Sequence, residues 1–444
     1  MNSRRVAAIL CGVLAVYLLL SPIYALYHFK EYASSVPLIA RYVLAPAVLA
    51  LFFLAVGLLA KPSVAITAGL YALSVLGGLF LFETLLTLRS VPVRMSMLGQ
   101  LSPEQSAAIA REGDVVRGFT LPQLNRLSDV KDLNHAVLSG FPAQQVLLCA
   151  QPSSVVSYRA DRYGFNNPDS VYDSGRIDAM LLGDSFVEGF CLPPGVDLVS
   201  RLRQKSVSAV GFGIRGSGPL TELAMLGRFG PMLRPRHVLI VFFEGNDWRN
   251  LEGELSISWL RSALDEHADF GTPQSAGAAM LRARAAIGEI NRQPITVADL
   301  LARTEVLRNF FALQQTFARL GLNFPGATQD IPEFRHVLRR AKSIVQSWGG
   351  SLQLVYVPRV DRYLGAFSAR SAFEPLRSLV ARGAASEAVP LIDLSTAFEV
   401  RPRPQELYAA DGHFSDSGAA FAAEIIARHI QDGSIADAAV REGR

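Results

Sequence analysis

The first ninety residues hold three long apolar stretches, Val6 to Tyr27, Tyr42 to Ala60 and Ser63 to Leu88, and nothing else constrains the chain as much. A helix rises about 1.5 Å per residue, so each stretch can cross a hydrocarbon layer of roughly 30 Å. The first follows Arg4 and Arg5, as a secretory leader would. No small-x-small cleavage site precedes the loop of His28, Lys30 and Glu31, however, and two further spans come after it. The segment 1–90 therefore reads as a retained anchor of three transmembrane helices, with the lipid bilayer as its partner. Half of the 444 residues are hydrophobic and 18% are charged, an apolar balance that fits this reading.

Basic residues do not choose an orientation. If Arg4, Arg5 and Lys61 are cytoplasmic, Lys30, Arg89 and Arg94 are outside. An odd number of spans puts the termini on opposite sides, so Arg4 and Arg5 inside would place the long remainder in the periplasm or at the cell exterior. The net charge is +4, with acids and bases mixed and no Lys/Arg run interleaved with aromatics. Nucleic acid is thus not an expected partner.

Residues 91–175 carry no strong motif and read as an amphipathic connector and lead-in. An alternating pattern follows over 176–432. Apolar strands are expected at Asp178–Gly183, Val207–Phe212, His237–Phe243, Leu352–Val357 and Val389–Asp393. Helical stretches lie between them, among them Leu220–Phe229, Ile331–Trp348 and Ala372–Arg382. Near-continuous apolar strands separated by helices imply a parallel sheet covered on both faces, an α/β fold. A partly helical insertion is expected at about 250–329, and 433–444 reads as a frayed tail.

Ligands of such sheets bind beyond the carboxyl ends of the strands. Ser185 follows the first strand, in Gly183-Asp-Ser-Phe186. There its hydroxyl is exposed and its N–H faces developing negative charge, although serine is also a favoured ordinary cap. Asn246 follows the third, in Gly245-Asn-Asp247. Its amide can donate to an oxyanion, although Gly-Asn-Asp is also plain turn chemistry. His413 follows the fifth, with Asp411 two residues before it. A carboxylate so placed can fix the imidazole tautomer, against the plainer reading of a lone surface histidine. Three such signals, each after a strand, are far less expected by chance than any one.

Gly211-x-Gly213-x-x-Gly216 also fits a dinucleotide fingerprint. That fingerprint belongs on the first strand of its unit, and the acid Glu244 comes too late for it. It would also leave Ser185, Asn246 and His413 unexplained. Cysteines are Cys11 in the first apolar stretch, a small lipid- or helix-facing residue, and Cys149 and Cys191. The last two can pair if the domain is extracytoplasmic, or stay as separate buried thiols. No CxxC or Cys/His cluster has zinc spacing.

These residues resemble the SGNH (GDSL-like) hydrolases. Gly183-Asp-Ser-Phe186 matches the family's first block, Gly216 its second, Gly245-Asn-Asp247 its third, and Asp411 with His413 its last. The likeness runs from about Asp178 to Ile430. It implies a flavodoxin-like three-layer α/β/α sandwich with a parallel sheet. It also implies Ser185 as nucleophile, His413 as base, Asp411 as its orienting acid, and an oxyanion hole of Ser185, Gly216 and Asn246. No metal or cofactor is implied. Asp184, Glu188 and Asp247 are expected to be structural.

Two features depart from the common pattern. Many members carry Asp three residues before His; here 410 is Ala. The shorter spacing resembles the polysaccharide O-acetyltransferase-like branch. The second block's Asn is replaced by Gly211. Tyr158 to Pro168 further resembles membrane-attached bacterial SGNH proteins, in which cysteines near 149 and 191 also occur. That likeness implies a Cys149–Cys191 disulfide and a multi-pass protein of a bacterial inner membrane.

The reading is a membrane-anchored serine esterase acting on an ester-bearing glycan or lipid of the envelope. The alternatives are O-acetyl transfer to an envelope polysaccharide, which would need an acyl-donor membrane partner, and a glycan-binding scaffold without turnover.

Overall fold

A computed structural model describes residues 2–32, 35–97, 101–111, 115–151, 154–291, 293, 296–303, 306–326, 328–367 and 370–442. The chain forms two compact units. One comprises Met1–Pro92, Ala298–Asp330 and Asp361–Leu376; the other comprises Val93–Val297, Ile331–Val360 and Arg377–Arg444.

The first unit contains three helices long and apolar enough to cross a membrane, with apolar spans Ser3–Tyr27, Val36–Leu59 and Pro62–Pro92. Small residues bring them together. Cys11 is buried with Ala7 and Ala65, and a Cβ added at Gly57 or Gly69 would crowd Cys11 or Leu10. Cys11 thus faces neighbouring helices, the packing by which small side chains let apolar helices approach.

In the second unit, five parallel strands form a sheet in the order β5-β4-β6-β7-β8, with β4 Ala179–Gly183, β5 Ala209–Gly213, β6 His237–Phe243, β7 Ser351–Val357 and β8 Leu391–Asp393. Every residue of β4 and β5 is buried, as expected of apolar strands covered on both faces. The first crossover runs one way from β4 and the later ones run the other way. Right-handed connections then put Leu198–Arg203 on one face and Pro219–Leu233 with Glu333–Gln346 on the other. The C-terminal helix Asp416–Glu442 packs beside Leu198–Arg203. This is an SGNH-type α/β fold whose strand order, in sequence terms 2-1-3-4-5, reverses between β4 and β6.

Three findings differ from the sequence reading. The lead-in contains a second sheet: β1 Val115–Arg117 runs parallel to β2 Gln145–Gln151, and β3 Ser154–Arg159 is antiparallel to β2. The insertion is divided: residues up to 297 cluster with the sheet unit, and 298–330 cluster with the apolar helices. The C-terminal helix also runs on to Glu442 through the segment expected to fray. Its Ile-Ala-Asp-Ala-Ala-Val run (435–440) has no proline to stop a helix and two alanines in succession to favour one.

Candidate active site

The site lies at the strand-order reversal, where β4 and β6 end. Ser185 begins a single helical turn, Ser185–Glu188, directly after β4. The helix is only four residues long, so its field comes from the local N–H groups rather than from a helix macrodipole. Glycines allow this turn to sit low on the sheet. A Cβ at Gly183 would strike Val187, and one at Gly213 would strike the backbone of Val187 and Glu188. Gly211 is crowded by Val199 and Val187 in the same way. The Gly-x-Gly pair therefore makes room for the chain's own serine turn, and Glu244 is occupied in holding Tyr356 and the Arg359 N–H. The dinucleotide reading loses both supports.

Ser185 Oγ lies 2.9 Å from His413 Nε2. The histidine sits on a tight return in which Ala409 N–H donates to the His413 carbonyl at 2.8 Å and Gly412 adopts φ +88. A β-bridge between Tyr408 and Phe414 closes that return. The imidazole is flanked by Phe190 and Phe186, with ring centroids at 4.5 and 5.2 Å. Asp411 Oδ1 accepts from the His413 backbone N–H at 3.0 Å and stands 3.5 Å from Nδ1. The second separation is longer than a formed hydrogen bond, and Nδ1 has no other partner among the described residues. Asp411 thus acts on the ring as a nearby charge more than through a closed bond. Burial tends to raise its pKa, but the hydrogen bond and charge of His413 win, and it lies below the usual carboxylate value.

Asp184 ties the nucleophile turn to the Asn246 loop. One carboxylate oxygen accepts from Phe186 N–H at 2.9 Å, and the other accepts from Asn246 Nδ2 at 3.1 Å. An amide nitrogen carries two hydrogens, so this contact fixes the amide plane and leaves the second donor available. Asp247 accepts from Phe243 N–H at 2.7 Å. Burial raises the pKa of both Asp184 and Asp247. Gly216 lies on the loop after β5 at φ +77, a region that favours glycine.

The sequence reading missed Arg215, next to Gly216. It donates to both oxygens of buried Glu188, at 2.9 and 3.0 Å, and its own backbone N–H adds a third bond at 3.0 Å. It also covers the Phe190 ring and reaches the Leu148 carbonyl on β2. Cys149, the next residue of β2, is joined by a disulfide to Cys191, with Cα atoms 5.4 Å apart. The lead-in sheet is thereby fastened to both loops of the site. Asn167 extends the fastening: its side-chain amide exchanges two hydrogen bonds with the Gly211 backbone, at 2.8 and 2.9 Å, and so caps the free edge of β5. Among the described residues, no three His, Cys, Asp or Glu side chains converge to hold a metal ion.

Strand order, the turn after β4 and the convergent loops define an SGNH-type α/β hydrolase. The chain belongs to the GDSL-like Lipase/Acylhydrolase family, whose profile matches residues 181–421, more than half of its length. Among solved structures it is similar to a lipase/acylhydrolase from Enterococcus faecalis, at 18% identity over 58% of this chain and 96% of that one, TM-score 0.31. It is similar to a lipolytic protein of the G-D-S-L family from Desulfitobacterium hafniense DCB-2, at 13% identity over 57% and 99%, TM-score 0.29. It is also similar to a two-domain esterase active on acetylated mannans, at 12% identity over 60% and 52%, TM-score 0.29. No curated protein matches the chain significantly.

Proposed function

We propose that the chain is a membrane-anchored serine esterase that cleaves an acyl or acetyl ester of an envelope carbohydrate or lipid. The observation that carries this reading is the 2.9 Å contact between Ser185 Oγ and His413 Nε2 at the carboxyl edge of the sheet. In the reaction, His413 takes the Ser185 proton as Oγ attacks the ester carbonyl. The oxyanion is held by the Ser185 and Gly216 N–H groups and the free hydrogen of Asn246 Nδ2. Collapse expels the alcohol, which receives the proton from His413. A second acceptor, activated by the same imidazole, then releases the acyl group from Ser185. Asp411 stabilises the imidazolium that forms in each half.

Water as that acceptor gives hydrolysis. The spacing of Asp411 two residues before His413 favours a second reading, in which a sugar hydroxyl accepts the acyl group. The disulfide supports placing the sheet unit outside the cytoplasm, since such bonds persist in oxidising compartments.

The test has two parts. A fluorophosphonate should label wild type at Ser185 and leave Ser185→Ala unlabelled; folded wild type that stays unlabelled removes the enzyme reading and leaves a binding scaffold. Incubation with an acetylated donor, with and without a glycan acceptor, separates free acetate from acetylated glycan and so decides between water and sugar.

A further inference from the structure

Glu83 is the only acidic residue between Glu31 and Glu104. It lies in the third apolar span, and its side chain is fully buried. An ionisable group buried within an apolar span calls for a named partner. The partner belongs to the chain segment that leaves the sheet unit. Glu83 accepts from the Gln315 N–H at 3.0 Å and from the Thr316 N–H and hydroxyl at 2.7 Å each. Those amides open the helix Gln314–Leu320, whose preceding residue, Leu313, offers no side-chain cap. The first N–H groups of any helix lack internal partners, and Glu83 supplies them.

The segment has the pattern of a hairpin dipping along the apolar helices. The helix Val306–Phe311 descends, the chain reverses at Leu313 with φ +52, and Gln314–Leu320 returns. At the upper level Arg308 donates to the Tyr24 hydroxyl at 3.1 Å, and Arg41 lies over the Phe317 ring at 4.2 Å. At the lower level the Tyr17 hydroxyl donates to the Phe311 carbonyl at 3.1 Å, and Phe80 packs on Phe310 and Phe311. Tyr17 stands eleven residues beyond Val6, where the apolar run begins. At about 1.5 Å per residue this is about 17 Å into a layer of roughly 30 Å. Tyr24, by the same measure about 27 Å in, is near the far boundary. Arginines and tyrosine at the boundary with phenylalanines below them match the layering of a bilayer interface. Leu307 and Phe311 remain mostly exposed on this hairpin, as do Val16 and Leu20 on the first helix.

We propose that residues 306–320 form a re-entrant helical hairpin, inserted into the acyl-chain region at the end of the spans away from Arg4 and Arg5 and fastened there by Glu83. Lipid is the occupant of its outer face because that face continues the lipid-facing surface of the spans. Non-helical backbone within an apolar layer is tolerated only where its polar groups are satisfied, and the Glu83 carboxylate does this at the reversal.

The proposal rests on the reading that the three helices cross a bilayer, and one experiment separates the two. Full-length protein with Cys11→Ala is reconstituted in phosphatidylcholine vesicles. A fluorophore is attached at Phe311→Cys, at Val16→Cys within the first span, or at Leu281→Cys on the sheet unit. It is then quenched by acyl-chain nitroxides or by aqueous iodide. At Phe311→Cys, nitroxide quenching should fall within about twofold of Val16→Cys, with iodide quenching at least about fivefold weaker than at Leu281→Cys. Lipid quenching at Val16→Cys with iodide quenching at Phe311→Cys overturns the hairpin alone. Iodide quenching at both overturns the spans and the hairpin with them. Shielding of Phe311→Cys from both quenchers, as a second copy of the chain would produce, overturns the lipid assignment. Adding Glu83→Ala should move the Phe311→Cys label toward iodide and leave Val16→Cys unchanged; an unmoved label overturns the role of Glu83.

Discussion

Asp411 stands close enough to His413 to stabilise its charge but not close enough to close a bond to Nδ1, and this ranks the site's residues. On the proposed mechanism His413→Ala removes the base, whereas Asp411→Asn removes only a charge. Ester turnover of purified protein should therefore fall at least about 10⁴-fold for Ser185→Ala and His413→Ala, and about 10- to 100-fold less severely for Asp411→Asn. Asn246→Ala should cost about 10²–10³ in kcat with little change in KM, because on the proposed mechanism its donor acts on charge present only in the transition state. Equal losses for Asp411→Asn and His413→Ala would show that the ring closes onto Asp411 during catalysis. Glu222 poses the opposite case. It is fully buried, neither carboxyl oxygen has a hydrogen-bond partner among the described residues, and burial followed by the charges of Glu254 and Asp184 pushes its pKa well up. A carboxyl with a raised folded-state pKa contributes full stability below its ordinary value, and that contribution is lost as pH rises through the raised value. Melting curves of wild type should thus decline from pH 5 to pH 8 more steeply than those of Glu222→Gln, by up to about 1.4 kcal/mol per pH unit. Parallel curves would show that Glu222 stays ionised in the fold.

At the scale of elements, the five sheet strands were legible because burial on both faces leaves an uninterrupted apolar run. His237–Phe243 agrees to the residue and the others shift by one or two. The residues after those strands were legible for the same reason, since a loop serine, asparagine or histidine is conspicuous beside such runs. The lead-in sheet was not. Its first strand is three residues long, and a Pro-Ser pair between Gln145–Gln151 and Ser154–Arg159 in the sequence obscures their pairing. Arg215 and Asn167 were illegible because their roles depend on partners 27 and 44 residues away. The Cys149–Cys191 bond joins the legible and illegible parts, since it ties β2 to the loop after the serine turn. Cys191 itself adopts φ +60, an uncommon conformation that surrounding structure must enforce. Closing a loop of 42 residues restricts the unfolded chain by about 4 kcal/mol on the chain-entropy account. Replacing both cysteines with serine should lower the melting temperature of the sheet unit by on the order of 10 °C. A larger loss of esterase turnover than of stability would show that the bond's main work is to hold Phe190 against His413.

For the whole molecule, the apolar spans, the disulfide and the division of the insertion bear on one question of topology. The three spans were plain from length and hydropathy. The membership of 298–330 with them was not, because its apolar residues come in short runs broken by polar ones and their partners, among them Tyr17, Phe80 and Glu83, lie more than two hundred residues away in sequence. On the proposal that all three helices cross a bilayer, their odd number would separate the two ends of the chain, and basic residues at both ends of the spans do not say which side is which. The proposed placement of the sheet unit outside the cytoplasm rests on the disulfide, because a bond of this kind persists where thiols are not kept reduced. Leu281, on the helix Gly277–Asn291, is 72% exposed and lies outside the site. With Cys11 replaced by alanine, Leu281→Cys in intact spheroplasts should react with a membrane-impermeant maleimide without permeabilisation. Reaction only after permeabilisation would put the sheet unit in the cytoplasm. Its natural ester would then have to be a cytoplasmic metabolite or lipid headgroup rather than an envelope polymer, and the cysteine pair should appear as free thiols in the native protein.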